Sequence, residues 1–254
     1  MFKKELDILL TAILFYTRIP ISQSIKFSSD LFNKATRYLP LIGWIVGGFG
    51  ALIFVLFNNY ISQNISIIIA LVFMILLTGA FHEDAFADFC DGFGGGYTKE
   101  KILSIMKDSC IGTYGAVGIT LLLLTKYVLL TNIPATYIPF VLIAAHTLSR
   151  LMTVYLIYSS KYTGNIQNSK SKAVDGTKSI KTLIIASLFG LIPLFFFGLY
   201  TISFIIIIQF LVFLMFRFYI HKKINGYTGD VLGALQQISE VVFYLSYIII
   251  LSTL

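Results

Sequence analysis

Charged residues are scarce in this chain: they make up 12% of its 254 residues, against a hydrophobic share of 57%. Soluble globular proteins carry about a quarter charged residues, so this shortage excludes an ordinary soluble domain. The mean hydropathy of +0.86 is typical of a chain that crosses a membrane many times. We expect a single all-α domain over residues 1–254, built as a polytopic integral membrane bundle.

Cysteine is also rare: Cys90 and Cys110 are the two in the chain, and their spacing is not Cys-x-x-Cys. This excludes a cysteine-based zinc site and favours small packing residues in a reducing compartment. The net charge is +7, but no basic run is interleaved with aromatic residues, so we expect no nucleic-acid partner. A signal peptide is not expected, because Asp7 and Arg18 interrupt the N-terminal apolar stretch and no small-residue cleavage site follows.

Long apolar runs are abundant, and a spanning helix needs about 20 apolar residues. We predict seven transmembrane helices, at 39–57, 65–82, 113–133, 139–158, 182–199, 202–219 and 232–252. An eighth apolar stretch, 8–17, is too short to span, so it is predicted to be an interfacial or re-entrant helix in contact with membrane lipid.

The loops between these runs alternate in charge. Loops 58–64, 134–138 and 200–201 contain no Lys or Arg, whereas the intervening loops are basic, including 83–112 and the one near 159–181. Because Lys and Arg concentrate on the cytoplasmic side, seven spans with a cytoplasmic N-terminus place every basic loop inside the cell. We therefore predict a multi-pass protein of the inner (cytoplasmic) membrane whose unusual polar residues face the cytoplasm.

Carboxylates are few, and half of them fall between Glu83 and Asp108. Asp84, Asp88 and Asp91 are spaced i, i+4, i+7, so on a helix they share one face within about 60° of arc. Like charges on one face repel unless a cation neutralises them, and no Lys or Arg lies between them. Carboxylate oxygens suit Mg²⁺, so we predict a metal site here, with a solvated helix end as the alternative.

Glycines follow the acids and predict a turn whose bare backbone can approach a phosphate, with a merely flexible turn as the alternative. Thr98 is predicted to cap an amphipathic helix over 99–107. The residues that we assign to substrate binding are Gly92, Gly94, Gly95, Gly96, Lys107, Ser109, Arg18, Arg150, Asp230 and His82.

Several of these assignments leave alternatives open. Arg150 lies inside an apolar span, where an arginine either binds a phosphate or pairs with an acid. Asp230 opens a membrane helix and could be no more than an N-cap. Asp108 could close the metal site, act as a base or be a surface residue. His82 is predicted to be a structural or substrate-contact residue rather than a metal ligand.

Asp88 to Gly92 form an Asp-x-x-Asp-Gly string like that of the CDP-alcohol phosphotransferases, but the Ala-Arg continuation of that family is missing. A closer resemblance is carried by six stretches: Phe15-Tyr16-Thr17-Arg18-Ile19-Pro20, 38–43, 82–96, 105–115, Leu148-Ser149-Arg150 and 226–234. On these stretches the chain resembles the cobalamin-5′-phosphate synthase (adenosylcobinamide-GDP ribazoletransferase) family almost end to end. Two small departures are Ala85 and Asn225, where that family usually has Gly.

The resemblance implies a reaction in which adenosylcobinamide-GDP and α-ribazole, or its 5′-phosphate, give adenosylcobalamin, or its 5′-phosphate, and GMP. Mg²⁺ is the implied cofactor. An attacking hydroxyl needs a base near the metal, for which Asp108 is preferred and Glu83 is the second candidate. The alternatives are a phospholipid phosphotransferase and an ion-coupled transporter, although a transporter would place its acids near the bilayer midplane. The sequence leaves a homo-oligomer open.

Overall fold

The computed structural model describes residues 2–21, 28–164 and 178–253. In these ranges the chain is helical and contains no strand, although Tyr162 and Tyr227 form an isolated parallel bridge. The α-helices are α1 (Phe2–Tyr16), α2 (Ser29–Ala35), α3 (Leu39–Asn58), α4 (Gln63–Thr78), α5 (Phe81–Gly95), α6 (Lys99–Ile105), α7 (Thr113–Thr131), α8 (Ile138–Ser159), α9 (Ile180–Leu191), α10 (Leu199–Ile224) and α11 (Gly229–Leu251). Short 3₁₀ helices, Thr36–Tyr38 and Ile192–Phe196, extend α2 and α9.

The all-α membrane class is confirmed. Within the described residues, five helices are long and apolar enough to cross a membrane, or six if the bent pair α4–α5 counts as one broken span. The five are α3 (with the segment from Leu31 before it), α7, α8, α10 and α11, and they match five of the seven predicted spans. The other two predicted spans, 65–82 and 182–199, correspond to shorter helices: α4 has 16 residues, and the apolar helix Ile180–Phe196 also falls below the spanning length. Lys26, Lys170 and Lys172, which contribute to the predicted orientation, lie outside the described residues.

A sharp bend separates α4 from α5, and it is the main departure from the predicted span 65–82. Gly79 and Ala80 both have left-handed backbone conformations, with φ of 66° and 56°, and α5 leaves α4 at 88°. Glycine adopts this conformation at little cost, whereas alanine is strained there. The acidic helix therefore does not continue the apolar helix before it.

The bundle is centred on α8, which is buried along most of its length and packs against α3 and α11. Gly43 and Gly47 of α3 face α8, and a Cβ atom at either position would collide with the α8 backbone at His146 or Leu142. Glycines four residues apart allow two membrane helices to approach closely. Van der Waals contact between α3 and α8 thus forms the centre of the fold.

Helix α1 is longer than the predicted stretch 8–17, but its 15 residues are still short of the spanning length of about 20. Near its start, Glu5 accepts hydrogen bonds from Arg37 Nη1 (2.9 Å) and from the Tyr38 hydroxyl (3.1 Å). After its end, the Arg18 backbone N–H donates to the Leu77 carbonyl oxygen at 2.7 Å. These contacts attach α1 to the bundle at both ends.

Candidate active site

A cavity of about 760 Å³ opens where α1, α2, α4, α5, α8, α11 and the first residue of α3 meet. Arg18, His82, Asp84 and Asp230 line it, so residues that are far apart in the sequence and that were predicted to bind substrate or metal share one site. A second hollow, beside Cys90 and Tyr114, is lined by no Asp, Glu, Lys or Arg. The first cavity is therefore the candidate active site.

Four carboxylates lie near one another at this site, and two of them, Asp84 and Asp230, line the cavity. The charge on Asp88 is opposed by the nearby negative charges of Asp230, Asp84 and Asp91, and Asp84 also acts on Asp230. No described Lys, Arg or His lies within ion-pair distance of Asp84, Asp88 or Asp230. Uncompensated carboxylates in a partly buried site repel each other, and a bound cation would relieve that repulsion.

Asp91 has a different environment from the other predicted metal ligands. It is buried, and its two oxygens accept the backbone N–H groups of Gly112 (2.7 Å) and Gly115 (2.8 Å) at the start of α7. A Cβ atom on either glycine would collide with the Asp91 carboxylate, which explains why glycines stand there. In this structure Asp91 fixes the N-terminal end of α7 against α5, an arrangement that the spacing of the acids did not reveal.

The other three acids, Asp84, Asp88 and Asp230, offer carboxylate oxygens, which are donor atoms that suit Mg²⁺. No group of three or more His, Cys, Asp and Glu side chains in the described residues is arranged to hold a metal ion. Mg²⁺ does not need such a cage, because it is usually bound by one or two carboxylates together with waters and substrate phosphates. Asp84 and Asp230, from different helices, line the same cavity and satisfy that description, with Asp88 beside them.

Arg18 is the cation of the cavity wall, and it is exposed. Its side chain lies against Gly79, where a Cβ atom would collide with Nε, so the bend between α4 and α5 makes room for it. Tyr16 lines the same wall, and burial raises the pKa of Tyr16 to about 12. Its phenol is therefore protonated at neutral pH and is available as a hydrogen-bond donor.

The glycine run is helical rather than a turn. Residues 92–95 belong to α5, and the Gly96 N–H donates to the Gly92 carbonyl oxygen at 2.9 Å. A Cβ atom at Gly92 or Gly96 would collide with α6 at Met106 or Ile102, and one at Gly94 would collide with Tyr114. The glycines thus let α6 and the start of α7 pack on α5, while the helix uses their backbone N–H groups.

Helix α6 begins as predicted, because the Thr98 side chain accepts from the Lys101 N–H at 3.3 Å, but it ends at Ile105 rather than at 107. Ile102 of α6 and Met106, directly after its end, are buried, as expected for the inner side of an amphipathic helix. Lys107, Asp108 and Ser109 follow in an exposed turn, in which Asp108 Oδ1 accepts from the Cys110 N–H at 3.1 Å. None of these three residues lines the cavity.

Glu83 points away from the cavity and into the bundle. Its Oε1 accepts from Gln237 Nε2 at 3.0 Å, and Gln237 in turn accepts a hydrogen bond from the Lys126 ammonium. Neither predicted base, Glu83 or Asp108, is among the residues that line the cavity.

A buried polar cluster surrounds Glu240, and apart from Arg150 its members were missed by sequence reasoning. Glu240 is fully buried and accepts from Lys126 Nζ at 2.6 Å and from His146 Nδ1 at 2.8 Å, and Gln236 donates to it as well. Arg150 Nη1 lies 3.5 Å from Glu240 Oε1, so of its two predicted roles the structure shows the pairing with an acid. The available signal was a lysine and a glutamate, each inside an apolar run of the sequence.

The segment before α11 is held by backbone contacts. Thr228 caps α11 by accepting from the Val231 N–H at 3.3 Å, so Asp230 is not the capping residue and its carboxylate lines the cavity. Gly226 has φ of 158° and packs against the Lys161 carbonyl, which a Cβ atom would strike. Asn225, where a Gly was expected, has φ of 60°, a conformation that Asn tolerates better than most residues.

Together, these helices and this cavity describe a multi-pass α-helical membrane protein with a carboxylate-lined, partly open site. Comparison with known proteins makes the assignment specific: the cobalamin-5-phosphate synthase family model matches residues 8–248, and the chain belongs to that family. The resemblance read from the sequence is confirmed, and the chain is a transferase of cobalamin biosynthesis.

Curated relatives cover almost the whole chain. The adenosylcobinamide-GDP ribazoletransferase of Shewanella baltica (strain OS155 / ATCC BAA-1091) is 42% identical over 255 residues, which are 97% of this chain and 95% of the relative. The proteins of the same name from Shewanella sp. (strain W3-18-1) and Shewanella sp. (strain ANA-3) are 42% and 40% identical, each over 99% of this chain and 97% of the relative. No solved structure gives a significant match.

Proposed function

We propose that this enzyme joins adenosylcobinamide-GDP to α-ribazole, or to its 5′-phosphate, with release of GMP. A ribazole hydroxyl attacks the phosphorus on the cobinamide side of the diphosphate. The new P–O bond forms as the bond to GMP breaks, and the hydroxyl proton is lost. The observation that supports this function is the single cavity that carries Arg18, Asp84 and Asp230 together in a chain of this family.

The residues of the cavity have two roles, which are to neutralise the charge of the diphosphate and to position it. Arg18 attracts the diphosphate, and its planar guanidinium matches phosphate oxygens in two-point contacts. Asp84 and Asp230, with Asp88 beside them, would hold Mg²⁺. The ion would neutralise the diphosphate and the departing GMP. The protonated Tyr16 phenol can donate a hydrogen bond to a phosphate oxygen from the α1 side.

The proton of the attacking hydroxyl needs an acceptor within hydrogen-bond reach. Glu83 and Asp108 lie outside the cavity wall, whereas His82 lies in it and is buried. A neutral imidazole accepts a proton without also being needed as an Mg²⁺ ligand. His82 is therefore the candidate base that lies in the cavity wall, in place of Asp108, although its burial near Arg150 disfavours the protonated form.

The charges of the loops indicate the side of the membrane on which the cavity opens. The cavity belongs to the cytoplasmic face of the inner membrane, with α1 at the lipid–water boundary, because the basic loops are expected inside. This side is also where a nucleotide-activated substrate is accessible.

The direct test is to supply the purified enzyme with adenosylcobinamide-GDP and α-ribazole at a series of Mg²⁺ concentrations and to measure GMP. We expect GMP release that stops when EDTA is added. Asp230→Asn should raise the Mg²⁺ concentration needed for half-maximal activity by about tenfold or more, because a carboxylate ligand is lost. Lys99→Gln is the control, since it changes one charge on α6 at a residue that does not line the cavity. Absence of GMP from the folded wild type would contradict the proposed reaction.

A further inference from the structure

Phe81 is an exposed aromatic side chain in a part of the cavity that also has charged side chains. Phe81, the first residue of α5, is 41% exposed and lines the cavity together with Arg18, Asp84 and Asp230. Charged side chains keep water near them, so this part of the wall is not covered by lipid hydrocarbon. An apolar surface held in water beside a binding site is typical of a surface that a ligand covers.

Neighbouring rings hold Phe81 in place. Phe15 and Tyr16 contact it edge to face, with centroid distances of 5.6 Å and 5.9 Å, and Phe15 also contacts Phe32 at 4.9 Å. Among the described ring contacts of Phe81, none is a parallel stack. We call Phe15, Phe32 and Phe81 the aromatic rim. It combines a fixed ring orientation with room for another flat group.

The rim lies close to the acids. Phe81 and Asp84 are three residues apart on α5, so their Cβ atoms are about 5–6 Å apart. A nucleoside places its flat base one ribose away from the hydroxyl that reacts. A base lying against the rim would therefore present its ribose hydroxyls near Asp84 and Asp230.

We infer that the aromatic rim binds the base of the ribazole substrate by stacking, which makes it the site that selects an apolar, flat lower base. This inference rests on the proposed function. Beside the rim, the apolar side chains of the cavity wall are Leu14, Leu39, Ala85 and Leu232. A flat base with few polar edge groups, such as a benzimidazole, can be covered by the rim and these side chains at little desolvation cost, whereas a guanine has several polar edge groups, so the benzimidazole is the better match to the rim.

The test compares Phe81→Leu with Phe73→Leu. Phe73 is a matched control because it is 38% exposed and has one described ring contact, with Phe49, but does not line the cavity. Stacking of a base on an aromatic ring strengthens binding, and it is lost when the ring is replaced by an aliphatic side chain. Phe81→Leu should therefore raise the KM for α-ribazole by about tenfold, with the KM for adenosylcobinamide-GDP and the kcat nearly unchanged. Phe81→Tyr keeps the ring and should restore the wild-type KM.

Equilibrium dialysis of labelled α-ribazole separates this inference from the proposed reaction. Wild-type binding that weakens in Phe81→Leu, but not in Phe73→Leu, supports the rim even if no GMP is formed. A rise in the KM for adenosylcobinamide-GDP alone would overturn the inference and assign the rim to guanine or the corrinoid. Unchanged α-ribazole binding in folded Phe81→Leu would overturn it too, because the rim would then serve packing only.

Discussion

Glu240→Gln should strongly destabilise the bundle. The Glu240 carboxylate is fully buried among Lys126, His146, Arg150 and Gln236, which approach it from three helices. Glutamine has nearly the same volume, so the change removes a charge without opening a cavity. What remains is a buried lysine 3% exposed and an arginine 1% exposed, without the carboxylate between them.

The cost can be worked from those contacts. Breaking a buried ion pair by removing one partner typically costs about 3–5 kcal/mol, because the other charge stays buried and uncompensated. Lys126→Met should cost a similar amount for the same reason, leaving Glu240 with Arg150 as its nearest cation at 3.5 Å. In the double variant Lys126 is no longer stranded by the loss of Glu240, although Arg150 still is. The double should then lose less than the sum of the singles, by about 1–3 kcal/mol.

The assay is unfolding in mixed micelles of dodecyl maltoside and SDS, followed by circular dichroism, for the wild type, both single variants and the double. Glu5→Gln is the comparison: Glu5 also pairs with an arginine, at 2.9 Å, but its side chain is 35% exposed. Exposed pairs contribute about 0–1 kcal/mol, so this change should be mild. Strictly additive single effects, or a Glu240→Gln variant as stable as Glu5→Gln, would refute the account of the cluster.

Two further predictions concern the metal site and the orientation. Asp91→Asn should lower the free energy of unfolding by about 1–3 kcal/mol, because a single amide oxygen cannot replace both carboxylate oxygens that accept the α7 N–H groups. The Mg²⁺ concentration for half-maximal activity should stay the same. A higher Mg²⁺ requirement at unchanged stability would instead make Asp91 a metal ligand. A cysteine introduced at Asn59 should react with a membrane-impermeant maleimide in intact cells, whereas the native exposed Cys110 should react only after permeabilisation. The opposite labelling would contradict the seven-span orientation.

Sequence reasoning succeeded where the signal is local. Apolar length predicted α3, α7, α8, α10 and α11, and helical spacing predicted one acidic helix, because both depend on neighbours along the chain. It failed where the partner lies far away in sequence. The hydrogen bonds from Gly112 and Gly115 to Asp91 span more than twenty residues, and Lys126 meets Glu240 across 114 residues. Neither pairing leaves a periodic pattern.

The glycine run and the bend show a second kind of limit. The run Gly92 to Gly96 was predicted to be a turn, because glycine is common in turns. Close packing of α6 against a helix also requires residues without side chains, and this is the reason for the glycines here. The bend at Gly79 and Ala80 was missed because alanine seldom adopts a positive φ. The predicted metal and substrate residues were nevertheless informative, since Arg18, His82, Asp84 and Asp230 do meet in one cavity.

The right-angle turn between α4 and α5 also decides the direction along which the acids are spread. Each helical residue advances about 1.5 Å along the helix axis, so Asp84 and Asp91 are separated by roughly 10 Å along α5. In a straight continuation of α4 that separation would run along the direction of the apolar helix. Turned through 88°, the same separation runs across the direction of α4. Asp84 therefore reaches the cavity wall, while Asp91, on the same helix, reaches the start of α7 on another side of the bundle.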